Sequence, residues 1–383
     1  MFPPHGAITR FVLIIAFLIL PAFVIALYTH LRYGMLFMLG CVLGLALLIG
    51  HIGFTTAWRK AILRQDARPL GHQFVLLCLA SIASLAVLAA LPDAVPNKAP
   101  VSLSLVVGSF LFGLGMQFGK GCGSGTAVHA GEGSEHSLLT LVFFIVGSLL
   151  GSWHLPTWLD FAAADPVYFP ELVDWRLIAL AYLLIFAALL FALGKSSGLG
   201  VGALLWQTRR LIGALALIGA AMLVLVFSGS MWSVTFAYTI WGAKLATLVG
   251  LDLSGWAFWQ WELPAAALRN SVLTNVPSLT TLGMMAGVFV YALFHGSFGG
   301  KARINGRQVA GALFGGLLMG YGARLSFGCN IGALFSGLAS GSLHGWIWYA
   351  CAYAGSWVAL TRFPGWCDLK QLEAAGATRG EKV

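Results

Sequence analysis

The chain has 383 residues, of which 59% are apolar and only 9% charged, with a formal net charge of +9. Soluble chains carry about a quarter charged residues, so a cytosolic enzyme, a nucleic-acid binder and a disordered regulator are excluded. An all-α polytopic membrane protein remains, its surplus positive charge fitting cytoplasmic loops rather than a nucleic-acid patch.

A membrane span takes roughly 20 apolar residues. The pattern predicts spans at 11–29, 34–58, 73–91, 101–118, 137–153, 177–194, 211–228, 231–250, 278–295, 309–326 and 343–361. Shorter apolar pieces at 126–131, 198–206, 255–268 and 330–337 read as half-helices or re-entrant segments. The run Phe11–Leu27 has no small-x-small cleavage pattern after it and reads as the first span. Next comes a basic loop with Arg59, Lys60, Arg64 and Arg68. The loop 154–175 is acidic, with Asp160, Asp165, Glu171 and Asp174. Gln207-Thr208-Arg209-Arg210 and Lys301, Arg303 and Arg307 are basic again. Basic loops belong inside, so 154–175 is placed outside. Trp256, Trp259 and Trp261 read as an outer interfacial belt, and the tail after Arg362 as cytoplasmic.

One sequence unit occurs twice. Residues 108–125, GSFLFGLGMQFGKGCGSG, align without gaps to 315–332, GGLLMGYGARLSFGCNIG, at an offset of 207. Matches fall at Gly108/Gly315, Leu111/Leu318, Gly113/Gly320, Gly115/Gly322, Gly121/Gly328, Cys122/Cys329 and Gly125/Gly332. The loop charges send the chain into the first unit from outside and into the second from inside, which predicts two inverted-topology halves with the site at their interface. The halves are 1–200, holding the unit 108–131, and 201–362, holding the unit 315–337, with a short polar tail at 363–383. A weaker pairing sets His51-Ile52-Gly53-Phe54 against His295-Gly296-Ser297-Phe298.

The stretch Gly119-Lys120-Gly121-Cys122-Gly123-Ser124-Gly125 cannot sustain a helix. Broken backbone at membrane depth survives where it lines protein or a cavity. Ser124 and Thr126 are suitable N-caps for the piece that follows. Gly328-Cys329-Asn330-Ile331-Gly332 repeats these elements. A half-helix start attracts anions. Lys120 and Arg324 add positive charge near the breaks, where a cation inside a span is usually functional. Cation, amide donors and a soft, polarised sulfur suit a small anion that itself contains sulfur or selenium. The candidate translocation residues are therefore Cys122, Cys329, Lys120, Arg324, Gly121, Gly123, Ser124, Gly125, Gly328, Asn330 and Gly332. Cys41, Cys78 and Cys351 read as small buried hydrophobes, and Cys367 as a tail residue. No cofactor, metal or nucleic acid is implied, and no nucleotide-hydrolysis motif is present.

The segments FGLGMQFGKGCGSG at 112–125 and MGYGARLSFGCNIGALFSG at 319–337 resemble the YeeE/YedE family of bacterial inner-membrane proteins. The resemblance implies a transporter for sulfur compounds such as thiosulfate, with selenium-linked branches. It implies that Cys122 and Cys329 contact the cargo through weak S–H interactions. It also implies an early-span cysteine, for which either Thr55 or Cys41 stands here, and a soluble cytoplasmic sulfurtransferase-type partner. The leading expectation is a non-enzymatic channel or transporter for thiosulfate. The alternatives are a selenium-compound transporter of the same family and, ranked lower, a membrane thiol oxidoreductase.

Overall fold

The computed structural model describes residues 12–64, 66–204, 208–299 and 304–367. Lys301, Arg303, Gln207 and the tail from 368 lie outside the described residues. The chain runs through α1 (Val12–Tyr28), α2 (Leu31–Ile49), α3 (Phe54–Arg64), α4 (Arg68–Ala90), β1 (Val101–Ser102), α5 (Leu103–Phe118), α6 (Gly123–Gly131), α7 (Glu135–Phe161) and β2 (Ala163–Ala164). It continues through α8 (Trp175–Ser197), α9 (Thr208–Ser228), α10 (Thr235–Leu248), α11 (Glu262–Arg269), α12 (Val276–Phe294), α13 (Gly306–Leu325), α14 (Asn330–Ala339) and α15 (Leu343–Arg362). Among the described residues, seven helical stretches are long and apolar enough to cross a membrane. The protein is an all-α polytopic membrane protein, its two strands forming one short antiparallel pair, Val101 with Ala164 and Ser102 with Ala163.

Glycine lets the helices at the centre touch backbone to backbone. α5 and α13 cross antiparallel: Gly108 lies on Gly322 and Leu325, and Gly115 on Gly315 and Leu318. α5 also runs parallel to α15, with Gly113 against Ala352 and Gly355 against Phe110. α13 runs parallel to α7, with Gly316 against Thr140 and Gly320 against Phe144. These contacts bury half of α13, which carries an arginine at each end.

Sidedness can be followed through side-chain contacts. At one end, Arg210 Nη1 meets His72 Nδ1 at 2.7 Å, Arg307 Nη1 donates to Gly365 O, and Arg59 donates to Gln117 Oε1 and O. At the other end Lys98 pairs with Glu171 at 2.8 Å, and the segments 91–100, 162–174, 228–230 and 340–343 are stitched together by main-chain bonds. The described basic-loop residues thus gather at one end, which we take as cytoplasmic, and the acidic loop lies at the other.

Several expectations are corrected. The predicted span 34–58 is two elements. The chain turns at Gly50–Gly53 with His51 at φ +50°, and α3 lies across the cytoplasmic end, because Arg59 and Lys60 make it too polar to continue a span. The predicted span 231–250 is re-entrant. Residues 229–234 descend from the outer end along α14, with Ser336 Oγ donating to Trp232 O, and the 14-residue α10 returns outward. Removing this crossing puts the loops before α9 and before α13 on one side. The weaker His51/His295 pairing is not an opposed pair: α2 and α12 run parallel, with Gly40 against Thr280 and Gly44 against Met284. Trp259 is not an interfacial anchor but is 5% exposed, packed with Phe258, Leu155 and Leu325. Cys367 is fully buried beside Ala359, its thiol donating to the Ala359 carbonyl. Burial pushes that thiol's pKa up.

Candidate functional site

Each Gly-Cys unit ends a long helix and starts a short one. After α5 the chain turns through Gly119 and Lys120, the latter at φ +57°, into α6. After α13 it turns through Phe327 (φ +61°) and Gly328 (φ +158°) into α14. A Cβ on Gly328 would meet the Ala333 nitrogen at 2.5 Å, so this turn requires glycine. α14 begins as a π-helix over Asn330–Ser336, a form frequent at functional sites.

The N-caps are the cysteines themselves, not Ser124 and Thr126. Cys122 Sγ accepts from Gly125 N at 3.4 Å, and Cys329 Sγ accepts from Ile331 N at 3.4 Å. Both cysteines have extended backbone, so each side chain folds back over the first turn of its helix. Ser124 sits inside the first turn, its Oγ 3.4 Å from Cys122 Sγ.

The two breaks adjoin. A Cβ on Gly123 would lie 3.0 Å from both Cys329 Sγ and Thr235 Cγ2, so the three residues sit side by side. The thiols are free and nearly fully buried, at 4% and 0% exposure. From this meeting point α6 runs to the cytoplasmic end, where Glu132 O accepts from Gly299 N. α14 runs to the outer end, where Ser340 Oγ accepts from Asn97 N at 2.8 Å. Two helix N-termini therefore face one another at the centre, each exposing amide donors and a sulfur.

The remaining expected residues fall into place around this pair. Gly121 lies against Thr126 Oγ1, Gly125 faces the Cys122 thiol, and Gly332 stands opposite Ser233 and gives its carbonyl to Asn97 Nδ2. Asn330 is fully buried with neither amide atom hydrogen-bonded. Lys120 lies on the cytoplasmic flank, in electrostatic contact with His136 and Cys367. Arg324 lies on the outer flank, its guanidinium 4.9 Å from the Phe258 ring centre and 5.7 Å from that of Phe236. The thiols hydrogen-bond neutral groups, Ser124 and the amides of Gly125 and Ile331, so the two cations flank the sulfurs rather than touching them.

Sequence reasoning missed the α10 contribution. Tyr238 is fully buried and donates its hydroxyl to Gly123 O at 2.9 Å, and Thr235 touches Cys329. The re-entrant segment also brings Trp232, whose Nε1 is buried without an acceptor, against Phe335. A shortened apolar piece flanked by Gly229 and Ser233 was the signal that could have found it. Of the two early-span candidates, Cys41 packs in the α2–α12 contact against Gly287, whereas Thr55 opens α3 with a buried, unpartnered hydroxyl. Lys244 is explained structurally: its Nζ donates to Leu268 O and Asn270 O, closing the end of α11.

Residues 49–358, which include both cysteine breaks, match the family described as sulphur transport. The chain belongs to that family. It is 26% identical over 347 residues to the thiosulfate transporter TsuA of Spirochaeta thermophila, covering 84% of this chain and 96% of that relative. It is 24% identical over 350 residues to TsuA of Escherichia coli, covering 84% and 91%. It is 33% identical over 130 residues to the probable transporter YedE of Escherichia coli, covering 34% of this chain but only 31% of that relative. The match therefore spans about a third of the length of YedE. In this sulphur transport family member, the matched region also includes α10 and the re-entrant segment that carries Trp232.

Proposed function

We propose that the protein is a membrane transporter for a small sulfur-containing anion, with thiosulfate as its cargo. The observation that carries this reading is the meeting of two free, buried thiols at opposed helix starts. Helix N-termini offer an anion fixed partial positive charge without a mobile counter-ion. Thiols offer weak contacts suited to a soft terminal sulfur. Asn330, Thr126 and Trp232 hold buried polar atoms without partners, which a polar cargo would satisfy as it passes. Arg324 attracts the anion on the outer flank and Lys120 on the cytoplasmic flank, so cargo meets several modest contacts rather than one deep trap. Two relatives that align along most of this chain are named thiosulfate transporters, which supports the choice of cargo.

In the same reading the halves 1–200 and 201–362 are inverted repeats. The reciprocity of the glycine contacts supports this: Gly108 meets Gly322, the counterpart of Gly115, while Gly115 meets Gly315, the counterpart of Gly108. A cytoplasmic sulfurtransferase-type protein receiving the cargo at the Lys120 end completes the proposal.

The test is uptake by purified protein in liposomes, comparing thiosulfate, sulfate and selenite for the wild type, Cys122→Ala and Cys329→Ala. Thiosulfate uptake by the wild type that falls at least tenfold in both variants, with protein in the membrane at normal levels, supports the reading. Full uptake by both variants overturns it, and uptake of selenite in preference to thiosulfate assigns the path to selenium compounds.

A further inference from the structure

A cavity lies at the cytoplasmic end, away from the thiol pair, where α2 stops and α3 begins. It contains about 380 Å³ of atom-free space, its open mouth included. Its lining comes from the Gly50–Phe54 turn, the first turns of α4, and Arg210 at the start of α9.

Several polar groups here are donors. Arg210 Nη1 lies 2.7 Å from His72 Nδ1. A guanidinium only donates, so Nδ1 accepts and the ring's proton resides on Nε2, which is itself a donor. Gln73 is 6% exposed, and its Oε1 accepts from Trp58 Nε1 at 2.9 Å. Indole N–H only donates, so this bond fixes the amide orientation. Gln73 Nε2, on the remaining side of the amide, is buried without an acceptor. The 11-residue α3 begins on the cavity wall at Phe54, and the first amides of a helix have no intrahelical acceptor. No carboxylate occurs among the described residues of the lining, and Leu76, Ala57 and Ile52 keep part of the wall apolar. A buried donor without an acceptor is unfavourable, so a ligand that supplies one is stabilised. A helix N-terminus and a guanidinium beside one cavity are the complement of an oxygen-rich anion, and the unpaired Gln73 amide lies in its wall.

We propose that this cavity is a binding site for a small tetrahedral oxyanion at the cytoplasmic mouth. The inference rests on this cavity and holds whichever cargo the thiol pair carries. The test uses the purified full-length protein, with thermal unfolding followed against inorganic sulfate, thiosulfate and phosphate in separate titrations. Wild type and Cys329→Ala show the same saturable stabilisation by at least one of these anions. Arg210→Gln binds it at least tenfold more weakly. Gln73→Glu, which keeps the acceptor for Trp58 but places a carboxylate in the cavity wall, abolishes it. Hydrogen exchange on the wild type provides a readout free of any folding defect: the bound anion slows exchange of the 52–58 amides. The three titrations identify whether an imported sulfur oxyanion or cytosolic phosphate fills the site. Absence of saturable binding in the wild type overturns the proposal. So do retention of binding in both cavity variants, loss in Cys329→Ala, or unchanged exchange at 52–58.

Discussion

At Cys122 and Cys329 one atom does two things: the sulfur caps a helix and faces the centre of the molecule. The two roles separate by substitution. Serine also accepts hydrogen bonds at an N-cap, whereas alanine does not, and losing a cap costs about 1 kcal/mol. Cys122→Ser is therefore expected to melt near the wild type and Cys122→Ala measurably lower, while both lose thiosulfate uptake. Equal uptake by Cys122→Ser and wild type would show that the sulfur is not required. Gly123 makes a related point. Its hydrogen is the space in which Cys329 and Thr235 sit, so Gly123→Ala forces the Cys329 thiol to move. The expected result is protein that inserts and folds but transports at least tenfold more slowly, measured as initial uptake rate at matched membrane abundance. The thiols stood out in the sequence because the Gly-Cys unit occurs twice, and the cations because Lys and Arg are rare at membrane depth. Tyr238 and Thr235 were not, since a tyrosine or threonine in an apolar run carries no signal until the chain folds it onto a glycine.

Among the elements, the α5–α13 crossing and its two parallel neighbours depend on absent side chains. A Cβ on Gly113 would approach Ala352 O to 1.9 Å, and one on Gly320 would approach Phe144 O to 2.2 Å. Gly113→Leu is thus expected to unfold or fail to accumulate, with a loss well above the ~1–3 kcal/mol of ordinary overpacking. A Cβ added at Gly219 in α9 would meet nothing within 4 Å. Gly219→Ala should leave the melting temperature unchanged or raise it, since alanine favours helix by ~1 kcal/mol. Detergent-solubilised yield and melting temperature compare the two directly. Element type was readable from hydropathy, but continuity was not. The run 34–58 holds enough apolar residues for one span; the charges of Arg59 and Lys60 argue against it, and the tertiary bonds of Trp58 to Gln73 and Arg59 to Gln117 fix α3 after the turn at Gly50–Gly53.

For the whole molecule, orientation follows from where charges gather. Arg59, Arg68, Arg210 and Arg307 share one end, and Asp165, Glu171 and Asp174 the other, as the loop composition predicted. Asp165 and Arg68 are both exposed. A membrane-impermeant maleimide applied to intact cells is expected to label Asp165→Cys and to spare Arg68→Cys until the cells are opened; the reverse pattern would invert the assigned orientation. Counting spans from sequence alone left the parity of crossings wrong, because a descending extended segment followed by a 14-residue helix looks like one more span. Its polar residues, Ser228, Ser230 and Ser233, are the trace of that dip.

The outer strap has a kinetic meaning. Asn97 joins the segment before α5 to both Gly332 and Ser340, bridging the flank of α14 that leads from the outer end down to Cys329. On the proposed path cargo passes along that flank, and these bonds would have to part before it enters. Asn97→Ala removes the side-chain bond to Gly332 and keeps the main-chain donation to Ser340, and is expected to raise the maximal flux while leaving the half-saturating concentration nearly unchanged.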